Sequence, residues 1–553
     1  MKSRRYTEIR YCNFIYALLF CCAIICSSCF FTDSFMDQST YPKWIMFGIL
    51  TSLMLIWYGC EKHADKICYS NSDMLLGVVA VIILIIMTLN AYCFQDVAQW
   101  CVFCCFYVAC RICKNYINIQ KNAAIALVIS AGICAVVAMT QLYVNQTLSG
   151  CYDNLVGLDI TLILGILAIM DLLASRRYTP LPKLMLWLSL GMFIILALMT
   201  QSRVFILSIM ICMVIYIPAR KKLIITVALS VLCLFSFFYP KKTESSYGRL
   251  FILDTSLSLL NSPHRLITGY GENGFKKHYM VKQSERLKKE SEAVKQRASN
   301  MSHPLNEFVM MAIKYGIFIP LIILVGFIRI MMKDTATAFQ KSILAVIIIY
   351  MVFSYPLRYP ITWIAIVLAM VVDNDIESVN KLKVFSKMLL SAVGLILLGM
   401  TFFSIDSQKY WKTTYIQAIL GKRQEALYHY CELSKILKSD EFIYNYASYL
   451  HNLGMDVESK QIISDIKVID YETSILSGQI NMSLNCYEEA LKDFLLAYDM
   501  CPNRFLPLFE IYRIYEHTDN QEGQIAYRNL IRNKQIKIKS PEVDFMINYV
   551  GEK

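Results

Sequence analysis

The sequence predicts an all-α, polytopic helical membrane protein with about 12–13 spans, followed by a C-terminal soluble α-helical repeat domain. Hydrophobic residues make up 56% of the 553 positions and charged residues 17%, and the mean hydropathy is +0.46. A soluble domain carries about 25% charged residues. Apolar runs of roughly 17–25 residues, enough to cross about 30 Å of hydrocarbon, recur over residues 1–404. After Phe402 the sequence becomes polar, tyrosine-rich and helix-forming.

The apolar runs define the transmembrane domain, residues 1–404. The first run lacks a small-residue cleavage site and is followed at once by further runs, so we interpret it as a span and not as a signal peptide. The predicted spans are 12–31, 42–60, 73–93, 97–110, 122–144, 154–174, 183–201, 203–218, 222–238, 307–328, 341–355, 359–373 and 384–404.

Lysine and arginine residues predict the orientation of these spans. If the N-terminus is cytoplasmic, the cytoplasmic connections hold roughly twenty of these cations, following the positive-inside rule. The other short connections hold only Lys43, Arg203 and Arg358. This asymmetry places the loop 239–306 and the domain 405–553 on the outer side, periplasmic or extracytoplasmic.

Neither the net charge nor the cysteine content predicts a nucleic-acid or metal site. The charge of +12 is largely this cytoplasmic bias plus one basic outer loop. Most of the 20 cysteines lie in apolar spans, where cysteine behaves as a small hydrophobe. The run CVFCC at 101–105 has no complementary histidine or second cysteine pair, so we predict no metal site and no cofactor. An oxidising compartment would permit one disulfide among Cys431, Cys486 and Cys501, but their spacing does not require it.

A weak internal repeat marks residues 405–553. The segments GKRQEAL, GMDVESK and NCYEEAL place Ala426, Ser459 and Ala490 about 31–33 residues apart, which resembles the period of tetratricopeptide repeats. Such helix pairs stack into a concave surface that binds peptide segments, so a protein partner on these repeats is predicted. An unrelated helical bundle is the alternative.

The outer loop 239–306 combines glycines with cations. Gly269, Gly271 and Gly274 allow a tight backbone turn, and Arg249, His264 and Arg265 lie shortly upstream. The second half of the loop is a charged helix-former of the kind that usually presents a solvated face.

Two further stretches place polar groups at the predicted outer interface. Arg203 opens a span, where an ionisable side chain indicates function, unless it only extends to the headgroups. Its planar guanidinium suits a phosphate group. In SHPLNEF, His303 can take a proton from a hydroxyl nucleophile, and Asn306 and Glu307 can orient substrate or pair with an arginine.

The order of these motifs resembles the O-antigen ligase and O-antigen polymerase superfamily, which includes bacterial protein O-oligosaccharyltransferases. The resemblance covers roughly 120–375. It rests on the outer loop and on four motifs: Ser202–Arg203, GRLFIL at 248–253, ITGYGENGF at 267–275, and NEFVMMAIKYGIFIP at 306–320.

The resemblance implies a metal-independent, inverting glycosyl transfer on the outer face of the bacterial inner membrane, with a glycan on undecaprenyl pyrophosphate as donor. It implies catalytic roles for His303, Arg203 and Arg249, and substrate binding by Asn306, Glu307, Arg265, His264, Gly269 and Gly271. The family often has histidine immediately before Asn-Glu, where this chain has Leu305. His303 is therefore a displaced candidate base, with His264 and His278 as alternatives.

Several functions remain compatible with the sequence. A ligase or oligosaccharyltransferase would move the whole glycan onto lipid A core or protein, whereas a polymerase would use the same donor to extend a glycan. A transporter of lipid-linked glycans should show repeats among its spans and polar groups near mid-membrane, and a sensor would need a cytoplasmic output domain. Because the chain shows neither pattern clearly, the sequence favours the enzyme and leaves its acceptor open.

Overall fold

The computed structural model describes residues 2–61, 68–69, 71–89, 94–175, 179–216, 243–271, 273–371, 380–381 and 385–552. These residues are helical apart from a two-residue antiparallel pairing of Cys68–Tyr69 with Asn380–Lys381 and short turns and connections. The predicted all-α, polytopic fold is confirmed.

Two compact units divide the chain. We call Met1–Pro240, Asn306–Phe308 and Pro320–Tyr415 the membrane unit. We call Lys241–Leu305, Val309–Ile319 and Ile416–Lys553 the polar unit. The polar unit therefore combines the outer loop with the C-terminal helices, which the sequence analysis assigned to different domains.

The helices are numbered in chain order over the described residues. Those before the outer loop are α1 (Lys2–Cys29), α2 (Thr40–Cys60), α3 (Asn71–Leu89), α4 (Phe94–Cys113), α5 (Ile119–Asn145), α6 (Leu155–Ser175), α7 (Pro180–Met199) and α8 (Arg203–Tyr216). Those of the loop are α9 (Thr243–Ser258), α10 (Pro263–Thr268), α11 (Gly274–Leu287) and α12 (Glu292–Lys295).

The later helices fall into an apolar and a polar group. The apolar group is α13 (Glu307–Tyr315), α14 (Phe318–Met332), α15 (Ala338–Phe353), α16 (Pro360–Val371) and α17 (Phe385–Ile419). The polar group is α18 (Arg423–Ile436), α19 (Asp440–Asn452), α20 (Asp456–Ile463), α21 (Tyr471–Ser483), α22 (Tyr487–Met500), α23 (Leu506–His517), α24 (Gln521–Arg532) and α25 (Pro541–Glu552).

Apolar helices occupy the predicted spans. Within the described residues, six helices are long and apolar enough to cross a membrane, and six further apolar helices are shorter. Every predicted span overlaps one of these helices except 222–238, which lies outside the described residues. The last predicted span, 384–404, lies in α17, which continues to Ile419.

One predicted span is wrong as a continuous helix. Residues 307–328 form two helices, α13 and α14, because Gly316 has φ +84°. The N–H of Ile317 donates to the carbonyl of Leu266 at 2.9 Å. A Cβ at position 316 would lie only 1.8 Å from the carbonyl oxygen of Ile267, so glycine is required where the outer loop meets the chain.

Polar contacts in the membrane unit join helix ends that the alternating topology places on the same side. At one end, Arg111 pairs with Asp73 at 2.5 Å, and Lys114 Nζ donates to the carbonyl of Val371 at 3.2 Å. At the other end, the Trp44 indole donates to the carbonyl of Arg358 at 3.1 Å. The contacts agree with an up-and-down arrangement of the helices.

In the polar unit, the outer loop shares a hydrophobic core with the C-terminal helices. Phe275 and Tyr279 of α11 pack in one cluster with Phe494 and Met500 of α22. Gln283, almost fully buried, donates to the carbonyl of Met500 at 2.8 Å. The outer loop is therefore a structured part of this unit.

The small residues of the predicted repeat are all fully buried. Ala426, Ser459 and Ala490 have 0% exposure, and the Ser459 hydroxyl donates to the carbonyl of Ala447 at 2.7 Å. Small side chains at these positions let neighbouring helices approach. The likeness to tetratricopeptide repeats stays a prediction.

Candidate functional site

Arg203 is the first residue of α8. The chain turns sharply between α7 and α8, with Gln201 at φ +50°. The Ser202 hydroxyl accepts a hydrogen bond from the N–H of Phe205 at 3.3 Å and so caps the helix. Arg203 thus adds a half-buried guanidinium to a helix N-terminus, where the partial positive charge already favours an anion.

A buried aspartate lies beside this turn. Asp159 of α6 is 2% exposed, and its carboxylate interacts with the side chains of Ser202 and Thr200. The residue before Arg203 therefore lies next to the neighbouring helix. The sequence analysis missed Asp159, although a carboxylate inside the run LVGLDITLIL is the kind of intramembrane charge that indicates function.

Asn306 and Glu307 both position the chain after α15. The amide of Asn306 donates to the carbonyl of Val352 at 2.9 Å. The Glu307 carboxylate, 5% exposed, accepts a hydrogen bond from the N–H of Leu357 at 3.1 Å. The structure therefore gives these residues backbone partners in segment 352–357.

An ion pair that the sequence did not predict lies directly after segment 352–357. Arg358 pairs with Asp153 at 2.5 Å, and the Tyr359 hydroxyl donates to the other oxygen of Asp153 at 3.2 Å. A cavity of about 580 Å³ opens beside the pair and is also lined by Asp33 and Asp37. Its carboxylates can accept hydrogen bonds from hydroxyl-rich molecules.

His303 lies in the polar unit, in a tight local turn. Leu305 has φ +57°, which is uncommon for a residue other than glycine. Its N–H donates to His303 Nδ1 at 2.9 Å. This contact assigns the neutral ring's proton to Nε2. For His303 to take a proton as a base, Nδ1 must first lose this contact.

Gly269 and Gly271 bring the outer loop against the end of α13. Their φ angles are +69° and +86°. The N–H of Tyr270 donates to the carbonyl of Ile313 at 2.7 Å, and the N–H of Gly271 to that of Lys314 at 3.1 Å. A Cβ at 269 would lie 2.5 Å from the Lys314 carbonyl oxygen. Close backbone approach accounts for both glycines.

The structure brings Arg265 and His278 together around one aromatic ring. The Arg265 guanidinium lies 4.6 Å from the centroid of the Tyr270 ring, and the His278 ring lies 4.7 Å from it. Burial, with the nearby charges of Lys277 and Arg265, lowers the pKa of His278. Its imidazole is therefore neutral near pH 7 and able to accept a proton.

Arg249 and His264 lie elsewhere in the polar unit. Both side chains are exposed, Arg249 on α9 and His264 on α10. The hydrogen bonds described for His264 involve its backbone carbonyl, which accepts from the Thr268 hydroxyl at 2.9 Å. Their predicted roles in catalysis and substrate binding stay predictions.

The central part of the chain is similar to a known protein family. Residues 184–324 match the family model of O-antigen ligase. The matched segment contains Arg203, the glycine-rich turn at 267–275, and Asn306 with Glu307. No curated protein matches the chain.

The O-antigen ligase match confirms the predicted resemblance over 184–324. Together with the apolar helices, it supports a membrane glycosyltransferase or ligase of the O-antigen ligase type. A ligase of this type implies a lipid-linked glycan donor and an acceptor at a membrane.

Proposed function

We propose that the protein transfers a glycan from undecaprenyl pyrophosphate to an acceptor hydroxyl on the outer face of the bacterial inner membrane, with the polar unit in the periplasm. The supporting observation is the position of Arg203 inside the O-antigen ligase segment. It opens a helix, and the turn before it lies beside the buried carboxylate of Asp159.

In the proposed reaction, the acceptor oxygen bonds to the anomeric carbon as the bond from that carbon to the pyrophosphate oxygen breaks. The leaving oxygen keeps the electron pair, so negative charge grows on the pyrophosphate. Arg203 and the N–H groups of α8 stabilise this charge more strongly in surroundings of low dielectric than water would. One displacement inverts the anomeric configuration, and the chain's guanidinium groups do the work that a metal ion does in other transferases.

The hydroxyl proton goes to a histidine that acts as the base. We retain His303 as the predicted base, but its Nδ1 accepts the N–H of Leu305. His278, whose lowered pKa keeps its ring neutral, is an alternative base.

The acceptor remains open within this proposal. The buried helix pairs of the polar unit favour a large acceptor such as a protein, since stacked helix pairs present extended binding surfaces. Lipid A core is the other candidate. A polymerase would instead join lipid-linked repeat units with the same chemistry.

Arg203→Lys tests the proposal because it keeps the charge and removes the planar pair of donors. In a deletion strain, we expect this variant to restore at least about 100-fold less glycan product than wild type, the usual loss when one oxyanion donor is removed. Arg329→Lys is the matched control, because Arg329 is an exposed arginine in the last turn of α14. Membrane levels of all variants are measured by immunoblot.

Lipopolysaccharide and glycoproteins are probed on one blot. The signal that wild type restores identifies the acceptor, and a change confined to chain length identifies a polymerase. Near-normal product from Arg203→Lys removes Arg203 from the mechanism and favours a transporter.

A further inference from the structure

Three cysteines that are far apart in the sequence meet in the membrane unit. Cys29 ends α1, Cys134 lies in α5, and Cys151 lies in the connection between α5 and α6. Their three sulfur atoms lie within 4.8 Å of one another, and the Sγ atoms of Cys29 and Cys134 are 3.8 Å apart. Cys134 and Cys151 are buried.

A fixed turn holds Cys151 against α5. Gly150 has φ +63°, and a Cβ there would lie 3.0 Å from the carbonyl oxygen of Cys134. The Gln141 side chain binds both backbone groups of Gly150, accepting from its N–H at 2.7 Å and donating to its carbonyl at 2.8 Å. The third sulfur is therefore held near the other two before any ligand binds.

A buried lysine braces the same cluster. Lys43 is 0% exposed, and its ammonium group donates to the carbonyls of Cys151, Ser39 and Phe30, the residue after Cys29. These acceptors carry no net charge, and Lys43 forms no ion pair with any carboxylate among the described residues. A buried cation is costly without a negative partner, so negative charge on the three neighbouring thiols would stabilise the Lys43 ammonium.

We propose that Cys29, Cys134 and Cys151 form a trithiolate site for a thiophilic divalent cation such as zinc. Tetrahedral zinc with Zn–S bonds of about 2.3 Å separates its sulfur ligands by about 3.8 Å. Each sulfur–sulfur distance in the cluster would therefore shorten by at most about 1 Å when zinc binds. Three thiolates, a divalent ion and the Lys43 ammonium sum to zero charge, which a buried site favours.

Two other uses of the cluster compare with this charge differently. Monovalent copper would leave one negative charge in excess. A disulfide between Cys29 and Cys134 would leave one thiolate, which also balances Lys43, so the redox state of these two cysteines distinguishes a disulfide from a metal site. The cavity beside Arg358 is also lined by Cys151, Gln141 and Gly150, which gives an ion an entry path and water a way to the fourth coordination position.

The test is metal content of the full-length protein, reduced, purified in detergent, loaded with zinc and dialysed. We expect about one zinc per wild-type chain by mass spectrometry, and a thiolate-to-metal charge-transfer band when cobalt(II) replaces it. Cys134→Ser and Cys151→Ser should lose the ion, whereas Cys212→Ser, which changes a buried cysteine outside the cluster, should keep it. Lys43→Met should weaken zinc binding by about 10–100-fold, as loss of a supporting residue does.

Alkylation of the wild-type chain keeps the proposal testable if the variants fail to fold. Bound zinc should protect Cys29, the half-buried member of the cluster, from alkylation, and removal of zinc should restore its reaction. Zinc retained equally by Cys134→Ser would mean an adventitious ion only and would overturn the proposal. Free thiols that bind no zinc, or a Cys29–Cys134 disulfide in the protein as isolated, would also overturn it.

Discussion

In α7 of the membrane unit, the apolar side chains Leu184, Leu188 and Ile195 are exposed. In α22 of the polar unit, Phe494 and Met500 are fully buried instead. These two helices therefore distribute apolar side chains in opposite ways, as expected if hydrocarbon surrounds α7 and water surrounds α22.

Polar groups show the complementary difference. In the membrane unit, Lys43 and Glu307 are buried and hydrogen-bonded within the protein. In the polar unit, many charges form exposed pairs one helical turn apart, such as Lys282 with Glu285 at 2.8 Å. Exposed pairs contribute little to stability, so single charges should matter more in the membrane unit. Three pairs of substitutions test this difference. Two pairs compare a position in one unit with a position in the other, and the third compares two positions within the polar unit.

The largest effect is expected for Gly316→Ala, compared with Gly326→Ala. At Gly316 of the polar unit, the left-handed backbone alone costs an alanine about 1–3 kcal/mol, and its Cβ would also overlap the carbonyl of Ile267. At Gly326 of the membrane unit, a Cβ meets nothing within 4 Å, and alanine inside a helix gains about 0.5–1 kcal/mol.

Thermal melting in detergent and the yield of folded protein measure both glycine variants. We expect Gly316→Ala to melt much lower or not to accumulate, and Gly326→Ala to melt at or above the wild-type temperature. Equal melting of the two variants would contradict the close contact between the outer loop and the end of α13.

The break between α13 and α14 shows which features of the fold could be predicted from the sequence. Hydropathy predicted the apolar helices, because a membrane requires long apolar runs. It predicted 307–328 as one span because the partner of Gly316 is a carbonyl 49 residues upstream, which no local pattern reveals.

The site residues could be predicted only where the local sequence marked them. Arg203 was found because an arginine that opens a span stands out in the sequence, and Asp159 was open to the same reasoning. The pairing of Asp153 with Arg358 was not, since 205 residues separate them. The contact of His303 with Leu305 depends on a positive φ at a leucine, which residue type does not predict.

An intermediate effect is expected for Leu188→Lys in α7, compared with Leu530→Lys in α24. Leu188 is 65% exposed and Leu530 49%. A lysine at the centre of a spanning helix costs about 2.5–3.5 kcal/mol, whereas a water-facing position should tolerate it. Membrane-inserted protein, measured by fractionation and carbonate extraction, should fall for Leu188→Lys only. Loss of insertion with Leu530→Lys alone would reverse the assignment of the two surfaces.

The smallest pair of effects compares neighbours on α11. Gln283→Leu removes the donor to the carbonyls of Met500 and Ser299 and should destabilise the polar unit by about 1–3 kcal/mol, because buried acceptors lose their partner. Lys282→Ala removes only an exposed pair with Glu285 and should change nothing measurable. Limited proteolysis of the full chain, followed at the outer loop, distinguishes them: Gln283→Leu should be cut faster than wild type. If both variants resist cutting equally, the loop does not depend on α22 for its order, and the common core of the polar unit contributes less than its buried contacts indicate.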